Sequence, residues 1–396
     1  MPSNSVTFAT TPDLHLGIDS STFPNLQTIT RERVQGAHFL GLSTQGWYLV
    51  SDSNLLFSNV NKFQKAAHRV KCYNFRMSKN ILLIDGHALI YRAYHAFHDL
   101  STKEGVLVNA VYGFSRILLT SIKDFEPEYV LVTFDCAKPT FRHADFVGYK
   151  ANRAKMPDDL VPQIDLIKKI VTALNLPIFE LPGYEADDLI GTLTRQIEDL
   201  RISKPKDDES VPDVSVIVTG DRDAFQLVTE TTHVWMPGRS PKIPDREYGP
   251  PEVVTRMSVR PDQIVDLKAL MGDASDNIPG VPGIGEKNAV KLIQEFDTLE
   301  KIYESIQIGE SEISKHEVMT AKLVAKLANG HEEAILSQQL ATIDRNTPIT
   351  LDLEACRLSS YNKVDVEDLF EEYEFRSLMK LLPADRFEKG VQNALF

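Results

Sequence analysis

ILLID, residues 81–85, is a short run of apolar, mostly branched side chains closed by a carboxylate. Strands buried on both faces of a parallel sheet read this way. YVLVTFD (129–135) and VSVIV (214–218) repeat the pattern. Between them, helical periodicity covers about 109–123, 161–174 and 184–199. Strand and helix in alternation imply an α/β fold, a mostly parallel sheet flanked by helices.

Past residue 250 the character turns all-helical. PEVVTRM, DQIVDLKALMG and EKNAVKLIQEF follow one another with no strand signal of comparable strength. A boundary is therefore expected near 250, giving an α/β domain over 78–250 and a helical domain over 251–384. Residues 1–77 are rich in Ser, Thr and Asn and carry no chemistry-bearing motif, so they stand as an N-terminal extension of unassigned role. Residues 385–396 form a polar tail.

The totals bound the class. Of 396 residues, 42% are hydrophobic and 25% charged, an ordinary globular balance. The three cysteines, Cys72, Cys136 and Cys356, are too dispersed for a zinc or redox motif. No apolar run approaches the roughly 20 residues of a membrane span. The N-terminus lacks the pattern of a secretory signal, so a cytoplasmic protein is expected, unless residues 1–77 are an organelle-targeting segment. A net charge of −13 argues against nucleic-acid binding, unless acids are clustered for metal ions and bases gathered on one face.

The acids are clustered. ILLID ends in Asp85, YVLVTFD in Asp135, and VSVIV runs into TGDRD with Asp221 and Asp223. Ligands of open α/β sheets bind outside the carboxyl ends of the strands, so these four converge on one rim. GYEADDLIG (183–191) opens a helix there with Glu185, Asp187 and Asp188, and GDASDN adds Asp273 and Asp276. Taken singly, each is a helix cap or a turn residue. Together, so many carboxylates stay ionised only with compensating cations. All-oxygen ligands favour Mg²⁺, with Mn²⁺ as substitute, over zinc. A site for two such ions suits phosphoryl chemistry.

Two stretches suit a nucleic acid. KPTFRHADFVGYKANRAKMPDD (138–159) interleaves Lys138, Arg142, Lys150, Arg153 and Lys155 with Phe141, Phe146 and Tyr149, a composition fit for backbone charge and base stacking. IPGVPGIGEKNAVKLI (278–293) is a helix–hairpin–helix turn in which Gly283, Gly285 and Lys287 present N–H groups and charge to a phosphate. The plain alternatives are a solvated helix and an ordinary αα-hairpin.

With these residues in view, the chain resembles the flap endonuclease superfamily, in particular the 5′-nuclease domain of bacterial DNA polymerase I. The matching segments run in order from LLIDGHALIYRAYHAF through FDCAKPTFRHADFVGYKANRAKMP, LPGYEADDLIGTL, VTGDRDAFQLV and LKALMGDASDNIPGVPGIGEKNAVKLI to FEEYEFRSLMKLL, about residues 78–384. The resemblance implies a PIN-like catalytic domain followed by a helix–three-turn–helix DNA-binding domain. It implies Mg²⁺-dependent 5′-3′ exonuclease and 5′-flap endonuclease activity in replication and repair, on DNA and on RNA primers. It assigns all nine acids, Asp85, Asp135, Glu185, Asp187, Asp188, Asp221, Asp223, Asp273 and Asp276, to metal binding. It makes 138–160 a helical arch in which Lys150 and Arg153 steer the scissile phosphate while Arg142, Tyr149 and Lys155 contact DNA. It places K⁺ at the glycine hairpin, and it implies a monomer.

The closing QNALF, with Gln392, Leu395 and Phe396, resembles the Gln-x-x-Leu-Phe peptide that docks bacterial replication proteins on the sliding clamp. Two origins stay open, a stand-alone nuclease or a fragment of a polymerase. The rival function is a non-catalytic, structure-specific DNA-binding protein.

Overall fold

The computed structural model describes residues 80–96, 100–204, 210–238, 243–358, 361–385 and 388, and the backbone alone of 29–34, 37–42, 46–51 and 54–56. Two compact units divide between Ser78 and Lys79. In the first, β1 (Ile29–Val34), β2 (Ala37–Leu42), β3 (Gly46–Ser51) and β4 (Asn54–Leu56) form an antiparallel sheet in chain order. The sequence reading placed no element here, because the runs are short and their alternation weak.

The second unit is built on a six-stranded sheet. Its strands are β5 (Asn80–Asp85), β6 (Tyr129–Thr133), β7 (Ile178–Phe179), β8 (Val214–Val218), β9 (Thr232–Met236) and β10 (Arg246–Tyr248). The spatial order is β10-β9-β8-β5-β6-β7. All pairs are parallel except the edge pair β9–β10. The three expected strands are present, with β6 ending two residues before Asp135. Strands β7, β9 and β10 were not foreseen; β7 is two residues long and β10 three.

Every residue of β5 is buried, and alternate side chains enter two layers. Leu82 and Ile84 pack with α1 (Gly86–Ala96), α2 (Asn109–Phe125) and α4 (Val161–Ala173). Ile81 and Leu83 pack with α5 (Ala186–Ser203) and with the helices that follow residue 250. Each such side chain contributes about 1.5–3 kcal/mol by leaving water. A short α3 (Phe141–Asp145) precedes α4, so the basic stretch is one helical turn and a series of tight turns, not a continuous helix.

The remaining helices are α6 (Pro250–Met257), α7 (Ile264–Met271), α8 (Glu286–Phe296), α9 (Leu299–Ile308), α10 (Glu310–Ile313), α11 (Ala321–Asn329), α12 (His331–Ala341), α13 (Lys363–Glu372) and α14 (Arg376–Met379). They do not stand apart from the sheet. The chain after α12 runs along α5, where Arg195 Nε donates to the Arg345 carbonyl at 2.8 Å and Gln196 Nε2 to that of Ile349 at 2.8 Å. Phe370 and Phe375 then close the opposite layer.

Candidate active site

Strand β5 is central, and the chain leaves it for β6 on one side and β8 on the other. Its carboxyl end is thus a switch point of the sheet, where ligands gather. Asp85 is the last residue of β5 and pairs in register with Thr133. Gly86 begins α1 with the backbone pressed on β6: a Cβ there would lie 2.4 Å from the Phe134 ring and 2.6 Å from the Thr133 carbonyl oxygen. Only glycine lets the chain turn this tightly beside the acid.

Short polar contacts fix the rim. Asp85 Oδ1 accepts the Ala88 N–H at 3.1 Å and Oδ2 accepts the Thr219 hydroxyl at 2.6 Å. Thr219 Oγ1 also accepts the Asp221 N–H at 3.0 Å, and Asp221 Oδ1 accepts that of Asp223 at 2.9 Å. Asp135 Oδ1 accepts the Ala186 N–H at 2.8 Å, so the strand-end acid meets the first residue of α5. His87 Nδ1 accepts the Asp135 N–H at 2.9 Å. Burial lowers the His87 pKa, although the Asp135 charge opposes the shift.

The acids feel one another. Burial pushes the Asp85 carboxyl up to about 7, against the Thr219 bond that lowers it and together with the Asp135 and Asp221 charges that raise it. Asp187 is held well above the ordinary range by burial, then by Asp85, Asp221 and Asp223. Asp223 rises to about 7 through burial and Asp221, with Lys268 pulling the other way. Five acids from three strand ends and one helix start therefore share one electrostatic neighbourhood. Asp85, Asp135, Asp187, Asp221 and Asp223 offer the hard oxygens a divalent cation takes.

The other four acids, and Asp223 with them, are engaged by bases. Lys150 Nζ lies 2.8 Å from Glu185 Oε1 and 3.7 Å from Asp276 Oδ2. Arg153 pairs with Asp276, and the Tyr149 hydroxyl donates to Glu185 at 3.1 Å. Lys268, almost wholly buried, bridges Asp223 and Asp273. Burial opposes ionisation of Asp273, but Lys268 and Ser275 bring its pKa down to about 2. Asp188 pairs with Arg142 through two bonds, of 2.7 and 2.8 Å. Among the described residues no three acids or imidazoles form a ready-made metal-binding group.

Arg142 and Tyr149, expected on DNA, are buried among the acids instead, because bidentate and charge-assisted bonds repay their loss of water. Lys155 is exposed and pairs with Asp158. Lys268 was missed by sequence reasoning. The one signal for it was a charge set among Leu267, Ala269 and Leu270, which are all buried. An open hollow of about 670 Å³ lies beside the acid helix, with Phe141 and Tyr184 in its wall.

At the glycine turn, Val281 and Ile284 are buried while Gly283, Gly285 and Lys287 face solvent. Gly283 has φ +80°, and Gly285 is the N-cap of α8, its carbonyl accepting the Asn288 and Ala289 N–H groups at 3.0 and 3.1 Å. Lys326 Nζ donates to the Gly283 carbonyl, a second base at this turn that the sequence did not reveal. Gln392, Leu395 and Phe396 lie outside the described residues.

Residues 80–258 match the family described as 5′-3′ exonuclease, N-terminal resolvase-like domain, and residues 259–364 match 5′-3′ exonuclease, C-terminal SAM fold. The chain is 40% identical over 318 residues to DNA polymerase I of Bacillus subtilis (strain 168), covering 80% of this chain and 34% of that protein. It is 38% identical over 304 residues to thermostable DNA polymerase I of Thermus filiformis, covering 76% of this chain and 33% of that one. It thus spans about a third of the length of these relatives. Among solved structures, T5 5′-exonuclease with bound zinc aligns with a TM-score of 0.52 at 20% identity, over 75% of this chain and 99% of that one. The bacteriophage T5 flap endonuclease, in a pseudo-enzyme-product complex with DNA and metal ions, aligns with 0.52 at 22% identity, over 75% and 100%. At such identities these structures speak to the fold. With the sheet described above, the matches bear out a PIN-like α/β layer followed by a helical part.

Proposed function

The chain belongs to the 5′-3′ exonuclease family, and from that premise we propose that it is a structure-specific 5′ nuclease. It hydrolyses DNA phosphodiesters near 5′ ends and at the base of 5′ flaps, in replication and repair, and it removes RNA primers as well. The observation that carries this reading is the convergence of carboxylates on one rim: the Thr219 hydroxyl joins Asp85 to the Asp221 N–H, Asp221 accepts the Asp223 N–H, and Asp135 accepts the Ala186 N–H next to Asp187. Within this cluster Lys268 pairs with Asp223, which leaves most of the charge to be offset, and Mg²⁺, with Mn²⁺ as substitute, would supply the rest. Asp85, Asp135, Asp187, Asp221 and Asp223 would hold two ions. The metal ions named with T5 flap endonuclease support this assignment.

Divalent ions, when bound, make water a nucleophile at neutral pH and offset charge on the phosphate. The chain's own residues do the rest. Lys150 and Arg153, now paired with Glu185 and Asp276, are the cations that meet the scissile phosphate once those acids find other partners. Gly283, Gly285 and Lys287 hold duplex backbone without reading bases, with K⁺ at the turn. The DNA named with the T5 complex supports the substrate class. Gln392, Leu395 and Phe396 would tether the enzyme to a sliding clamp.

A labelled 5′-flap DNA tests the reading. Short products from the junction, formed with Mg²⁺ and abolished by EDTA, are expected. Flap binding without cleavage under any divalent ion would replace the nuclease with a binding protein.

A further inference from the structure

Asp188 sits beside Asp187 on α5, yet its surroundings are of another kind. Both of its carboxylate oxygens are fully used. Oδ1 accepts Arg142 Nη2 at 2.7 Å and the Asp344 N–H at 2.8 Å. Oδ2 accepts Arg142 Nη1 at 2.8 Å and the Glu185 N–H at 3.0 Å. A carboxylate has about four lone-pair sites, so none is left for an ion. The side chain is 0% exposed.

Arg142 is equally committed. Its Nε donates to the Leu340 carbonyl at 3.0 Å and its Nη2 to that of Thr342 at 2.6 Å. Drawing Asp188 toward a cation would strand a buried guanidinium, which is strongly unfavourable. Adjacent residues of a helix point about 100° apart, so Asp187 can face the rim while Asp188 faces the interior.

We infer that Asp188 is not a metal ligand but half of a clamp with Arg142 that sets the basic segment against the acid rim. The clamp joins α3, the start of α5 and the chain leaving α12. Directly after α3, the Lys150 N–H donates to the Asp276 carbonyl at 2.9 Å and Asn152 Nδ2 to that of Ala274 at 2.6 Å. These bonds set Lys150 and Arg153 over Glu185 and Asp276, and the clamp at Arg142 fixes the segment that leads into them. Arg142 and Asp188 are positioning residues in this account, which rests on the metal-nuclease reading for the meaning of the rim.

The test measures Mn²⁺ binding to the protein without DNA, by electron paramagnetic resonance, together with backbone amide exchange. Asp187→Asn should weaken Mn²⁺ binding by roughly tenfold or more, and Asp188→Asn by less than about threefold. Asp188→Asn, and Arg142→Lys as the milder variant should the first fail to fold, should speed exchange across 141–153 and 340–344. The double variant R142M/D188L should retain Mn²⁺ binding. Loss of Mn²⁺ binding in Asp188→Asn equal to that in Asp187→Asn, with exchange unchanged, overturns the clamp. Absence of Mn²⁺ binding by the unaltered protein would instead defeat the metal-nuclease reading, and amide exchange would still decide the clamp.

Discussion

Thr219 and Asp85 are joined by a 2.6 Å hydrogen bond, and the same hydroxyl oxygen accepts the Asp221 N–H. One side chain from the end of β8 thus fixes the acid of β5 and the backbone of the next acid. Thr219→Val keeps the shape and removes both bonds. Loss of a partner behind a ligand typically costs about 10–100-fold in metal affinity or activity. Single-turnover flap cleavage against Mg²⁺ concentration should show a drop of that order, and an unchanged curve would mean that Thr219 only packs.

A metal-binding rim predicts competition between metal and proton. Asp85 and Asp223 are raised from 3.8 to about 7, so the folded chain keeps protons that the unfolded chain releases. Without metal, their contribution to stability is complete below the unfolded value and is lost as pH rises through about 7. On the proposed reading, Mg²⁺ would bind the ionised form and restore it. The rise in Tm on adding Mg²⁺ should accordingly be larger at about pH 8 than at about pH 5.

Lys268 is the buried cation between Asp223 and Asp273. Lys268→Met leaves two acids facing each other, and breaking a buried pair costs about 3–5 kcal/mol. Thermal melts should show a large loss in EDTA and a partial recovery in Mg²⁺. An equal loss in both would mean that Lys268 stabilises helix packing alone.

The proposed grip of the glycine turn on DNA backbone predicts that its variants weaken all duplexes alike. Lys287→Ala should lower the slope of log K against log salt by about one unit. Gly283→Ala meets a positive φ and a Cβ only 2.7 Å from Lys326 Nζ, and should weaken binding further. Fluorescence titrations on two unrelated sequences check this, and a sequence-dependent loss would count against a backbone grip.

The sheet was legible where burial is continuous: Ile81–Asp85 and Val214–Val218 fall within a residue of their sequence reading. Strand-end acids were legible for the same reason, since a carboxylate closing an apolar run is conspicuous. Strand β7 was too short to show, and Thr232–Met236 mixes polar and aromatic residues. The partners of the acids were not legible. Arg142 and Asp188 are 46 positions apart and Lys268 and Asp223 are 45 apart, and periodicity reports apolar faces, not which charges meet inside. The fully satisfied Asp188 looked, in the string GYEADD, no different from Asp187.

The central claim is that Asp187 belongs to a metal-dependent catalytic rim. The most direct measurement compares the unaltered chain with Asp187→Asn on a labelled 5′-flap DNA in Mg²⁺, recording binding and single-turnover cleavage on the same samples. Retained flap binding with cleavage reduced by at least about a thousandfold, near 4 kcal/mol of transition-state stabilisation, is the expected result. Cleavage by Asp187→Asn at the unaltered rate would contradict the account.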